Sequence, residues 1–177
     1  MVTRSVTAGR PARQGGATPA LRALRQLGVE HRLHSYDFDP GDQGIGRQAA
    51  AALGVCPERI FKTLMVTVDQ NVMAMALTPV HRETDFKKLA AALGGKRAAM
   101  AGVGRAARAS GYVKGGISPF GQRRRLDVVV DQTIRNHETV FVNGGKRGLM
   151  IELKPADLID ALNAKLAVLG RRIDPTR

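Results

Sequence analysis

The sequence predicts an α+β fold in which helices pack around a mixed, largely antiparallel sheet. Three observations carry this reading. Two β-rich runs, residues 60–68 (IFKTLMVTV) and 72–78 (VMAMALT), flank Asp69-Gln70-Asn71 as the arms of a hairpin would. Leu21, Leu24 and Leu27 recur at helical spacing, and Phe86, Leu89 and Leu93 do so again. No internal repeat is present.

The elements follow in order. Thr18 and Pro19 read as an N-cap and first helical residue, and Gly28 closes that helix. Residues 31–36 (HRLHSY) alternate weakly, as a short strand does. Residues 37–46 (DFDPGDQGIG) form a turn-rich loop, and 47–53 an Ala-rich helix stopped by Gly54. After the hairpin, 85–93 is a helix closed by Gly94-Gly95, and 104–110 a further short helix. Residues 111–125 (GYVKGGISPFGQRRR) hold four glycines, a proline and three consecutive arginines, and suit no regular element. Residues 126–130 and 139–142 read as strands, connected around 133–137. Residues 143–148 (NGGKRG) are a second Gly-rich basic turn, 150–153 a strand, and 155–169 a closing helix with Leu158, Leu162, Leu166 and Leu169 as its apolar stripe.

A chain of 177 residues suits one domain, placed at 18–172, behind a disordered basic tail over 1–17. The balance of 28 Lys and Arg against 15 Asp and Glu gives a formal charge of +13. Such a field attracts polyanions, nucleic acid first; the plainer reading is liberal use of surface arginine. The single cysteine, Cys56, excludes an internal disulfide and a multi-cysteine zinc site, and is expected as a buried or half-buried thiol. His31 and His34, three apart on a strand, point to opposite faces and make a poor metal pair. No metal and no cofactor is expected. No apolar run approaches a membrane span, no secretory signal is visible, and a cytoplasmic protein is expected.

Nucleophile elbows, zincin motifs and Walker loops are absent from the sequence. Two features stand out instead. Lys62 sits inside an apolar strand and shares a face with Leu64 and Val66. It is either an edge lysine reaching water or a cation aimed into a cleft. The two Gly-rich basic turns share a grammar, in which adjacent glycines let backbone N–H groups approach an anionic or carbonyl-bearing ligand.

Lys62-Thr63 in FKTL, then GYVKGGISPFGQRRR, then VNGGKRGL, in that order, resemble the YbaK/EbsC family; TPALRALRQLGVEHRLHSYDFDP resembles its N-terminal helix and strand. The likeness runs from Thr18 to Leu169. It implies a partly barrel-like sheet and deacylation of mischarged tRNA, chiefly Cys-tRNA(Pro), by a free-standing relative of the prolyl-tRNA synthetase editing domain. Alternatives are another small residue such as alanine on tRNA(Pro), or a non-catalytic tRNA-binding module on the same scaffold.

The resemblance implies catalytic roles for Lys62 and for the backbone of Gly115 and Gly116. It implies substrate contacts from Tyr36, Ile45, Thr63, Ile117, Ser118, Asn143, Gly144 and Met150. Three positions depart from the family pattern: Ile45 stands where phenylalanine is expected, Asn143 where serine is, and Met150 where a small polar or acidic residue is. Charge adds Arg123, Arg124, Arg125, Lys146 and Arg147 as tRNA contacts. For the three arginines, a solvated strand entrance is the competing reading. The expected partners are mischarged tRNA and prolyl-tRNA synthetase.

Overall fold

Thr18 caps the first helix as its place before Pro19 demands: its Oγ1 accepts from Leu21 N at 3.3 Å and donates to the Gly144 carbonyl at 2.6 Å. The first contact starts α1 (Pro19–Leu27), and the second seats it on the second Gly-rich turn. The structure is a computed structural model and describes residues 17–41, 44–69 and 71–171. The expected basic tail lies outside the described residues except for Ala17.

β1 (Arg32–Ser35) precedes α2 (Ile45–Leu53), a short 3-10 turn, and the hairpin β2 (Phe61–Val68) and β3 (Val72–Pro79). β4 (Glu83–Thr84), α3 (Phe86–Ala92), β5 (Ala98–Met100) and α4 (Val103–Ser110) follow. Then come β6 (Asp127–Asp131), β7 (Val140–Asn143), β8 (Leu149–Leu153), α5 (Pro155–Leu162), β9 (Lys165–Ala167) and β10 (Gly170–Arg171).

Among the described residues the strands form a five-stranded sheet ordered β5-β2-β3-β6-β9, a three-stranded sheet ordered β1-β8-β7, and the pair β10-β4. β3–β6 and β6–β9 are parallel and the remaining pairs antiparallel. The fold is thus α+β with a mixed, largely antiparallel arrangement. These pairings do not close into a barrel; the two larger sheets touch through a parallel bridge between Ile60 and Phe141.

Side-chain alternation places the core. Phe61 and Met65 of β2 pack with Val128, Val130, Ile151 and Leu158, between the two larger sheets and under α1, α4 and α5. Val66 and Val68, on the other face of β2, pack with Leu89 of α3 and with Leu169. A third cluster joins Ala49 and Ala50 of α2 to Ile60, Val80, Phe141 and Met150. A fully buried large apolar side chain stabilises by roughly 1.5–3 kcal/mol.

Two expectations are corrected. The closing helix stops at Leu162, because Asn163 adopts a left-handed conformation (φ 47°) and takes the role of C-cap. Leu166 then lies on β9 beside Val130, and Leu169 is fully buried against the α3 face. Leucines at helical spacing here serve a strand and its exit. Cys56 is exposed rather than buried; its thiol lies 3.6 Å from Glu58 Oε2 just before a 3-10 turn.

The buried carboxylate of Asp131 fastens the C-terminal segment. It accepts from Leu169 N at 2.8 Å, Gly170 N at 2.6 Å and Thr133 N at 3.0 Å. This holds β10 against β4, next to the turn that carries His81 and Arg82. Among the described residues no helix is long and apolar enough to cross a membrane.

Candidate active site

β2 runs beyond its partner β5, which pairs only with Val66, Thr67 and Val68. The edge from Phe61 to Leu64 therefore borders a cavity of about 660 Å³ instead of a strand. α4 supplies one wall through Val103, Ala106 and Ala107, and α2 another through Ile45 and Arg47. The loop of residues 112–117, Asn143 of β7 and Met150 of β8 complete it. The volume is that of a small-molecule site.

Lys62 is half-buried, and its Nζ donates to the Arg82 carbonyl at 2.5 Å. Burial pushes its ammonium below the ordinary lysine value, Glu83 opposes that, and Arg47 adds to it. The edge-lysine and cleft-cation readings thus both describe part of what is seen: Lys62 lies at an uncovered edge, and that edge lines the cavity. Tyr36 and Thr63 also line it; the buried Thr63 hydroxyl has no hydrogen-bond partner among the described residues, while the Tyr36 hydroxyl interacts with the Gly148 backbone without reaching full hydrogen-bond geometry. A buried hydroxyl in the condition of Thr63 is uncommon and suits a ligand that supplies the partner.

The segment GYVKGGISPFGQRRR is tied down rather than loose. Tyr112 donates from its hydroxyl to the Phe120 carbonyl at 2.7 Å, and burial pushes that hydroxyl's pKa up to about 12. Arg147 donates to the Lys114 carbonyl from Nε at 3.1 Å and Nη2 at 2.8 Å, with its guanidinium over the Phe38 ring. Asn143 donates from Nδ2 to the Gly115 carbonyl at 3.2 Å and accepts at Oδ1 from Gly145 N at 2.8 Å. The two Gly-rich turns are therefore one assembly.

Gly115 faces the cavity at φ +84°, where a Cβ would lie 2.8 Å from Ile45 Cδ1. Gly116 has another job. Its N–H donates to the Val113 carbonyl at 3.0 Å, and a Cβ there would lie 3.1 Å from Lys146 Cα. The second glycine permits packing of turn on turn.

The cavity brings together Lys62, Thr63, Tyr36, Ile45, Gly115, Ile117, Asn143 and Met150. It does not include Ser118 or Gly144. Ser118 is fully buried and accepts from Phe120 N at 3.3 Å, which shapes the loop from inside. Gly144 is buried where a Cβ would lie 2.6 Å from Leu149 Cγ. Lys146 is exposed, and Arg147 is exposed but engaged with Lys114. Arg123 lies across Gly111, whose Cβ would come within 2.9 Å of its Nε. Arg124 and Arg125 line a separate cleft. Residue patterns alone missed Val80, Met100, Val103 and Arg47 at the cavity. Lys114 had a signal, its place beside Gly115; the apolar lining residues had none.

The family profile described as "Aminoacyl-tRNA editing domain" matches residues 45–161, which span the hairpin, both Gly-rich turns and most of the cavity lining. The chain belongs to the aminoacyl-tRNA editing domain family. A relative in this family, "Putative Cys-tRNA(Pro)/Cys-tRNA(Cys) deacylase EbsC" of Enterococcus faecalis, is 30% identical over 151 residues, covering 85% of this chain and 91% of the relative. Two solved structures share the fold. "Crystal structure of hypothetical protein APE2540" superposes with TM-score 0.76 at 24% identity, over 86% of this chain and 99% of that one. "Crystal structure of a putative trans-editing enzyme for prolyl tRNA synthetase" does so with TM-score 0.74 at 20% identity, over 86% and 95%. The editing-domain match begins at Ile45, the first residue of α2 and part of the cavity wall.

Proposed function

We propose that this chain is a trans-acting aminoacyl-tRNA deacylase that cleaves the ester of mischarged tRNA, with Cys-tRNA(Pro) as its main substrate. The observation that carries the reading is the meeting of Lys62, the Gly115 backbone, the unpartnered Thr63 hydroxyl and the Tyr36 hydroxyl around one largely apolar cavity. An aminoacyl ester offers a carbonyl to the cation and the backbone, and polar groups to the hydroxyls.

An aminoacyl ester is already activated, so the protein needs to position it and to support negative charge on its carbonyl oxygen. In the cysteinyl case the substrate's sulfur attacks its own carbonyl carbon. The S–C bond forms, the C–O bond to the terminal ribose breaks, and the thiol proton ends on the departing ribose hydroxyl. Water opens the resulting thiolactone. Lys62 holds the carbonyl or the 3′-terminal nucleotide, and the N–H of Gly115 faces the developing charge. Gly116, whose N–H is spent on Val113, acts by shaping the turn.

The apolar pair Ile45 and Met150 on the cavity wall favours a small uncharged side chain and keeps alanine as a second substrate. The test is a deacylation panel over Cys-, Ala- and Ser-charged tRNA(Pro), with and without prolyl-tRNA synthetase. Release of cysteine is expected. Alanine release without cysteine release would replace the substrate, and intact esters throughout, with tRNA still bound, would favour the non-catalytic module.

A further inference from the structure

On the side of α4 away from the catalytic cavity lies a second cleft of about 460 Å³. Arg105 and Arg108 of α4 and Arg124 and Arg125 of the entry to β6 line it, with Asn71 and Met73 of the hairpin. No acidic residue is among those described as lining it. Arg108, Arg124 and Arg125 form no ion pair with a carboxylate among the described residues. Four guanidiniums around one concavity repel one another, and an anion seated there relieves that cost.

We propose that this cleft binds the phosphodiester backbone of tRNA next to the esterified 3′ terminus. The inference rests on the deacylase reading for the identity of the RNA, and adds Arg105 and Arg108 to the contacts. Guanidinium matches phosphate with paired N–H donors, which suits backbone recognition without base readout. Arg105 and Arg108 stand three apart and share a helix face. Arg105 is held at the rim by donation from Nη2 to the Asn71 carbonyl at 2.6 Å, so its position is fixed before a ligand arrives.

The placement relative to the cavity supports the same occupant. α4 presents Val103, Ala106 and Ala107 to the cavity and Arg105 and Arg108 to the cleft, so one helix separates the two. A helix is about 10 Å across. A stacked nucleic-acid strand spans that in about three phosphates at ~3.4 Å each. A strand whose phosphates rest in the cleft can deliver its 3′ end over α4 to Lys62 and Gly115. Arg123 is outside this surface because its side chain lies over Gly111.

The test compares three full-length proteins: wild type, the fourfold variant R105Q/R108Q/R124Q/R125Q, and an R25Q/R32Q control on α1 and β1. Uncharged tRNA(Pro) binding is titrated across salt, after thermal melting has shown that each variant folds. Each lost phosphate contact reduces the slope of log K against log salt by about 0.7–0.9. A drop of about 3 is expected for the fourfold variant, or about 1.5 for either paired variant, R105Q/R108Q or R124Q/R125Q, should the fourfold protein not fold. With mischarged tRNA the loss should appear as a KM raised at least about tenfold. An unchanged slope, or a control that loses as much per removed arginine, overturns the proposal. A protein that cleaves no mischarged tRNA but shows the slope change retains the cleft and loses the deacylase reading.

Discussion

Lys62 reaches the carbonyl of Arg82 across 20 residues of sequence, with Nζ and O 2.5 Å apart. The contact joins β2 to the turn before β4, and β4 is held by β10, which hangs from Asp131. The cation at the cavity edge is thus positioned through a chain of contacts that ends at the Asp131 carboxylate on β6. Replacing it as Lys62→Met is expected to lower deacylation about 100-fold, the usual effect of losing one charge-stabilising donor. Melting temperature should hold or rise, since a partly buried ammonium is costly to keep charged. Single-turnover deacylation and a thermal melt on the same preparation check both.

The direction of the Lys62 pKa sets a pH dependence. Burial lowers it, so the ammonium gives up its proton at a lower pH than an ordinary lysine. The charged form is the one assigned to the carbonyl, so enzyme-dependent deacylation should fall on an alkaline limb that lies below the free-lysine value. Between the folded and unfolded pKa the unfolded chain binds more protons, so stability contributed by this group rises with pH while activity falls. Titration of the Lys62 side-chain carbon signal by NMR should give the same pKa as the rate, after subtraction of spontaneous ester hydrolysis. A rate that stays flat past that pKa would remove the ammonium from the mechanism.

Gly115→Ala tests backbone conformation at the cavity separately from space. At φ +84° an alanine is strained, and its Cβ would also press on Ile45 Cδ1 at 2.8 Å. The variant should lose at least about tenfold in activity, since a slightly misplaced donor costs that much or more. Adding Ile45→Val relieves the contact but not the strain, so recovery should be partial at most. Full recovery in the double variant would show that the positive φ has no functional weight.

Asn143→Ala removes both a donor to Gly115 and an acceptor from Gly145. Two hydrogen bonds of this kind stabilise by about 1 kcal/mol each. The expected pattern is a loss of about 1–2 kcal/mol in urea denaturation together with a larger loss in kcat, because the turn that carries Gly115 is released. A stability loss with unchanged kcat would make Asn143 structural alone.

Acid should unfold the protein through two carboxylates. Burial pushes Asp131 up, but donation from Thr133, Gly170 and Leu169 outweighs it and leaves the group below its ordinary value. Burial likewise raises Glu152, and Thr139, His34 and Arg59 together bring it below. A carboxylate depressed in the folded state contributes stability that is present above its unfolded pKa and lost as pH falls through the folded one. Urea midpoints should therefore hold near neutrality and drop steeply below about pH 4–5. Asp131→Asn should lower the plateau and flatten the drop, and an unchanged slope would assign the acid response elsewhere.

Much of this was legible in the chain itself. Thr18, Pro19 and Gly28 mark α1 because capping chemistry is local, and the hairpin is visible because β2 and β3 are adjacent in sequence. The pairing of β3 with β6, and of β6 with β9, left no trace in composition, since parallel partners are set by packing over long separations. Leu166 and Leu169 kept helical spacing past the point where Asn163 turned the backbone. Lys62 stood out by residue type, and Gly115 by its paired-glycine turn and the family resemblance. Ser118 and Gly144 did not separate from them, because neighbours in a motif can face opposite ways: Ser118 points into the core while Ile117 lines the cavity. Arg105 and Arg108 were hidden among many arginines and became a group only when α4 met the strand entry at Arg124.

The partner of β1 is β8, with Arg32 opposite Glu152. During synthesis the first strand must therefore wait, its edge unpaired, until β8 has left the ribosome. Contacts of such long sequence separation slow folding and prolong exposure of strand edges. A nascent chain that ends before β8 also lacks Met150, so the cavity wall is completed only when β8 has emerged. Conditions that stall translation between β3 and β8 should yield chains prone to aggregate and with an incomplete cavity.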